Sequence, residues 1–151
     1  MTEISIDVLG TPAPKGSNRA MLRGGRAVFV PGGSKVNQQS LMTWDANVRH
    51  SASHALVGLN GPVFACVPLA VSIVFRMARP SGHWGKKGLK TGAPQCPSVK
   101  PDVDKLARST LDALSGVVFD DDSRIVRLTV AKEYAKPGNE GASIRVWEFK
   151  Q

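Results

Sequence analysis

Two long stretches of this 151-residue chain lack acidic residues altogether. From Val8 to Trp44 the only charged side chains are Lys15, Arg19, Arg23, Arg26 and Lys35. From Ala46 to Pro101 they are Arg49, Arg76, Arg79, Lys86, Lys87, Lys90 and Lys100. These gaps argue against a body built for basic partners, and the net charge of +8 favours a polyanion such as nucleic acid. Cysteine is scarce as well. Cys66 and Cys96 are too few for a disulfide framework and lack metal-ligand spacing, so they read as reduced thiols of a cytoplasmic protein. No apolar run approaches the ~20 residues of a membrane-spanning helix. The most apolar segment, Val63 to Phe75, is interrupted by Pro68 and reads as buried strand. Met1 to Asp7 carries acid and alternates in polarity, unlike a secretory signal.

What is present suits one globular domain, residues 1–151, with 42% hydrophobic and 21% charged residues. Ile4, Ile6 and Val8 alternate with polar residues as in a strand. Gly10, Pro12, Pro14 and Gly16 break regular structure, and Arg26 to Val30 reads as a short strand. Ser34 can cap a helix from about Val36 to Ala55, with Leu41, Trp44, Val48 and Ala52 at helical spacing. His50 and His54 on that helix sit at i and i+4, but without a third ligand nearby they read as ordinary histidines rather than a zinc site. Leu69 to Phe75 is a strand. Arg79 to Pro97 is a long Gly-, Pro- and Lys-rich loop, in which Lys86, Lys87 and Lys90 beside His83 and Trp84 suit an arm that touches phosphates; a plain solvated loop is the alternative.

Val103, Leu106, Ala107, Thr110, Leu111 and Leu114 then define an amphipathic helix, stopped by Gly116. Ile125 to Tyr134 and Ser143 to Phe149 alternate as strands and read as a hairpin or meander. The sum is an α+β domain, with about five strands in a mixed sheet and two main helices.

Six of the twelve acidic residues fall between Asp102 and Asp122. Asp102 stands at the helix entry, where a carboxylate can cap. Asp104, Arg108 and Asp112 follow one another at four-residue spacing on one stripe, so Asp112 is expected either to pair with Arg108 or to touch a metal. Asp120 reads as turn. Asp102 and Asp104 come near Asp121 and Asp122 if the helix and the following strand pack antiparallel. Carboxylates that close repel unless a cation lies between them, and oxygen-only ligation with open positions for water suits Mg²⁺. Such an ion activates water and stabilises the leaving oxygen of a phosphodiester.

The segments Lys100-Pro101-Asp102-Val103-Asp104-Lys105-Leu106, Leu111-Asp112-Ala113-Leu114, Gly116-Val117-Val118 and Asp121-Asp122-Ser123-Arg124-Ile125 closely resemble the RusA family of Holliday-junction resolvases. Pro12-Ala13-Pro14-Lys15-Gly16-Ser17-Asn18-Arg19 is similar to the family's N-terminal Pro-rich turn. The resemblance implies a homodimeric endodeoxyribonuclease of phage or prophage type, acting in DNA recombination and repair. It implies cleavage of symmetrically placed phosphodiesters in four-way DNA with Mg²⁺ or Mn²⁺. By the same resemblance Asp102, Asp104 and Asp122 are the essential carboxylates and metal ligands, with Asp121 an adjacent fourth. Arg108 stands where the family often has Lys; it can stabilise phosphate charge but cannot give up a proton. Lys105 replaces the usual Asn. Lys15, Arg19, Lys86, Lys87, Lys90, Lys100 and Lys105 are the expected DNA contacts. The alternatives are a nuclease acting on flap or other branched DNA, and a DNA-binding protein without catalysis.

Overall fold

Alternating burial along Glu3–Leu9 (β1) sends Ile4, Ile6 and Val8 inward and their neighbours to solvent, as the period of two requires. The computed structural model describes residues 3–16, 19–30 and 34–151, with Arg19 described in its backbone alone. Strands Arg19–Arg23 (β2) and Arg26–Val30 (β3) form an antiparallel hairpin, of which only the second strand was expected. Helix α1 spans Lys35–Ala55, and its cap is the expected one: the Ser34 hydroxyl accepts the Asn37 amide at 3.2 Å. Trp44, Val48 and Ala52 are fully buried, whereas Leu41 is only half-buried.

Strand β4, Leu69–Met77, starts at the expected Leu69, while the first part of the apolar run, Val63 to Pro68, carries only a β-bridge from Phe64 to Phe119. The expected loop then contains two-residue strands, Trp84–Gly85 (β5) and Gly88–Leu89 (β6), paired with each other. Helix α2, Val103–Leu114, ends at Ser115, with Gly116 in the left-handed conformation that a terminating residue requires. Strands β7, Ile125–Tyr134, and β8, Gly141–Glu148, complete the chain.

The main sheet is mixed, as expected, with four strands in the order β1-β8-β4-β7 against the expected five or so. β7 and β8 are not a hairpin: β4 lies between them, antiparallel to β8 and parallel to β7. Alternation marks a strand but not its neighbour. Here α2 is the crossover that makes β7 parallel to β4. α1 packs on β1 and on α2, and α2 packs on β7, so the helices form one layer against the sheet. Trp44 links them, donating its indole N–H to Thr110 Oγ1 at 3.1 Å.

Arg76, counted above among the basic residues facing a polyanion, is only 7% exposed. It ion-pairs with Asp7 at 3.1 Å and donates to the Asn139 carbonyl, the Ser143 hydroxyl and the Val8 carbonyl. Its role is to tie β1, β4 and β8 together. Gly141 lies beside that knot at φ +155°, where a Cβ would fall 1.8 Å from the Val8 carbonyl oxygen; only glycine fits.

Candidate metal and DNA site

Asp102 occupies the N-cap position of α2, but its carboxylate makes no capping hydrogen bond. It lies 3.3 Å from Lys105 Nζ instead. Asp104 and Arg108 are exposed on the outer face of the helix. Asp112 does not pair with Arg108. Its carboxylate takes Lys15 Nζ at 2.5 Å, and its carbonyl accepts from Arg49 at 3.4 Å, because the Pro-rich turn and α1 flank that stripe. The turn is held down by Lys15 N–H to the Lys105 carbonyl and by Ser109 Oγ to the Ala13 carbonyl.

A residue absent from the expected set fixes the approach to Asp102. Lys132, on β7, donates to the carbonyls of Val99 at 2.7 Å and Pro101 at 3.0 Å. Thirty-one residues separate Lys132 from Pro101, so no local pattern could reveal the contact. A cleft of about 410 Å³ opens here, lined by the Pro-rich turn, Asn37, Ser40, Lys100, Pro101, Asp102 and Lys105. The Arg79–Pro97 loop stands at the same end of the sheet. Arg79 lies 4.2 Å over the Tyr134 ring and donates to the Pro94 carbonyl, and His83 meets Tyr134 edge-on. Lys86 and Lys87 are exposed, whereas Lys90 donates to the Gly82 carbonyl at 2.8 Å. The loop is thus internally braced, and its Trp84 remains 39% exposed. The Arg19 side chain, with Ser17 and Asn18 of the Pro-rich segment, lies outside the described residues.

The other carboxylates stand at the far end. Asp120 is more than turn: it accepts the Cys66 amide at 3.4 Å and pairs with Arg124 at 3.2 Å. Desolvation pushes the Asp120 carboxyl up, but the hydrogen bonds from Arg124 and Cys66 outweigh it and hold the group below the ordinary carboxylate range. Asp121 is likewise held low by Ser123, first through its side chain and then through its amide, which Asp121 accepts at 2.7 Å. Asp122 opens a short 3₁₀ turn just before β7 and is exposed. Cys66 and Cys96 are unpaired thiols, as expected.

The convergence expected of Asp102, Asp104, Asp121 and Asp122 does not occur within one chain. Among the described residues, no three His, Cys, Asp or Glu side chains converge to hold a metal. α2 and β7 do pack antiparallel, but that packing separates the groups. Pro101 lies beside Lys132, near the end of β7, while Asp122 precedes its first residue. Ile125 to Lys132 alone spans about 23 Å of extended chain. The donors themselves fit a hard divalent cation, since exposed carboxylate oxygens leave positions for water. Their number in one chain falls short.

Among the described residues, no helix is long and apolar enough to cross a membrane. The model of a protein family described as endodeoxyribonuclease RusA matches residues 10–146. A Bacillus subtilis (strain 168) protein, described as uncharacterized protein YqaN, is 28% identical over 144 residues, covering 94% of this chain and 95% of that one.

Proposed function

This chain belongs to the RusA endodeoxyribonuclease family, and from that premise we propose that it is a homodimeric, Mg²⁺- or Mn²⁺-dependent nuclease that cuts four-way DNA junctions in pairs. The observation carrying this reading is the cleft in which Lys100 and Lys105 line the wall beside Asp102, with exposed Asp104 and Arg108 on the same helix and exposed Lys86 and Lys87 on a loop at the same end of the sheet. Carboxylates hold the cation; the lysines and Arg108 take the phosphates on either side of it.

The separation of the carboxylates supports the dimer. β7 is an edge strand, with Val126 59% and Leu128 43% exposed. Two copies pairing antiparallel along β7 would set the start of one strand beside the end of the other. Asp122 of the partner subunit would then lie near Asp102 and Asp104, with Asp121 of the partner subunit as a further ligand. Each site would need both chains, and two such sites would match the two-fold symmetry of a junction. When bound, the ion supplies Lewis-acid polarisation of the phosphate and a more acidic attacking water. Asp102 and Asp104 orient it, Lys132 fixes the segment that presents them, and Arg108 stabilises charge developing on the phosphate.

The test is cleavage of a synthetic four-way junction, a flap and a linear duplex, with Mg²⁺, with Mn²⁺ and with chelator. Wild type should cut the junction in preference, and Asp104→Asn and Asp122→Asn should each lose activity while still binding. Mixing the two inactive variants should restore about a quarter of the wild-type sites, because half the dimers then carry one intact composite site. No recovery in the mixture would place each site within one chain. Metal-independent binding without cleavage would leave a DNA-binding protein, and equal cutting of all three substrates would remove the junction preference.

A further inference from the structure

The β2–β3 hairpin packs appreciably on no other described helix or strand, and its register divides its side chains sharply. Ala20 faces Phe29 and Leu22 faces Ala27, so one face is wholly apolar. Leu22 is 80% and Phe29 72% exposed. The opposite face carries Met21 with Val28 and, at the tip, Arg23 directly across from Arg26. Like charges paired across strands cost stability, and neither arginine has an ion-pair partner among the described residues. An anion between them would reverse that cost.

We propose that this hairpin is a strand-opening arm for DNA: Leu22 and Phe29 seat against unstacked bases at the branch point while Arg23 and Arg26 hold the adjoining phosphates. The proposal rests on the nuclease reading above and adds an element to it. Charge selects the occupant. With no acidic residue between Asp7 and Asp45, this part of a chain of net charge +8 repels a second copy and attracts a polyanion. Bases offer an apolar π-face to an exposed aromatic ring, and apolar side chains inserted at a base step unstack it. The Gly24-Gly25 turn, with both residues at positive φ, makes a narrow tip that fits such an insertion.

The experiment uses a four-way junction carrying 2-aminopurine beside its branch point, titrated with full-length protein in chelator so that no strand is cut. Wild type should raise the fluorescence several-fold as the base unstacks. The double variant Leu22→Ser/Phe29→Ser should bind yet leave the signal at that of free junction. Arg23→Ala/Arg26→Ala should weaken binding and lower the slope of log affinity against log salt by about two. An undiminished rise with the serine variant overturns the proposal even where wild type cuts junctions normally. So does loss of the dimer in that variant by sedimentation, which would assign the apolar face to a second copy. A wild type that neither binds nor cuts junctions overturns both this proposal and the nuclease reading.

Discussion

In α2, Leu106, Ala113 and Leu114 are buried in the core, Thr110 receives the Trp44 indole, Lys105 pairs with Asp102 and Asp112 with Lys15. In the β2–β3 hairpin, Leu22 and Phe29 face solvent, and the tip arginines face each other. Both elements are short and both carry a proposed role on DNA, yet one is held by the whole molecule and the other by its own ladder. A metal ligand must be held to within a fraction of an ångström, which requires packing behind it. An element that inserts into a deformable substrate gains its partners only on binding, so its exposed apolar face is stabilised by the complex rather than by the fold.

Stability measurements give the sharpest separation of the two. Trp44→Ala should cost about 3–5 kcal/mol in denaturant unfolding, because it removes a fully buried ring and the α1–α2 link. Thr110→Val keeps the volume but leaves the indole N–H unpaired, for about 1–3 kcal/mol. Leu22→Ser and Phe29→Ser should stay within about 0.5 kcal/mol of wild type. A hairpin variant that costs as much as Thr110→Val would mean that the arm is packed in the native protein, and the contrast would fail.

The same contrast governs what could be read from residues alone. The bounds of α2 and the N-cap position of Asp102 were legible because caps and helical periodicity are local. So was α1, from Ser34 onward. β2 escaped because Arg19–Arg23 has no strict alternation, and its strand partner defines it. The placing of β8 between β1 and β4 escaped because period two is blind to neighbours. Asp112 was matched to Arg108 by spacing along one helix, but Lys15, 97 residues away, reaches it through the fold. The acidic residues from Asp102 to Asp122 were legible as a group in the sequence. Their distribution over the two ends of β7 was not, since it depends on the direction in which α2 crosses the sheet.

Lys132 tests how far precise holding matters at the acidic end. Lys132→Met keeps the aliphatic stem but releases the carbonyls of Val99 and Pro101, so the segment presenting Asp102 and Asp104 loses its anchor. The Mg²⁺ concentration for half-maximal cleavage should rise about tenfold or more, as when other outer partners of metal ligands are removed. Lys132→Arg should recover part of the loss. Hairpin variants should leave this concentration unchanged, which separates metal holding from substrate opening. An unchanged metal requirement in Lys132→Met would make the tether purely architectural.

The smallest expected effect concerns pH and again divides the packed body from the arm. Glu3 on β1 receives two hydrogen bonds from Arg145 on β8, at 2.8 and 3.1 Å. That side-chain pairing holds the Glu3 carboxyl below its ordinary value and raises the guanidinium. A carboxyl lowered in the folded state binds protons more weakly there than in the unfolded chain, so its stabilising contribution is present above the ordinary carboxylate range. It is lost as acidification passes through that range and below it. Both groups are exposed and screened by solvent, so the change should be slight and should shrink further with added salt. Glu3→Gln should flatten the acid limb of the unfolding profile a little. The hairpin carries no acidic residue, so its arginine variants should leave that limb as in wild type. A shift of the acid limb in Arg23→Ala would show a carboxylate partner for the arm within the folded chain, and would return its arginines from DNA to the protein itself.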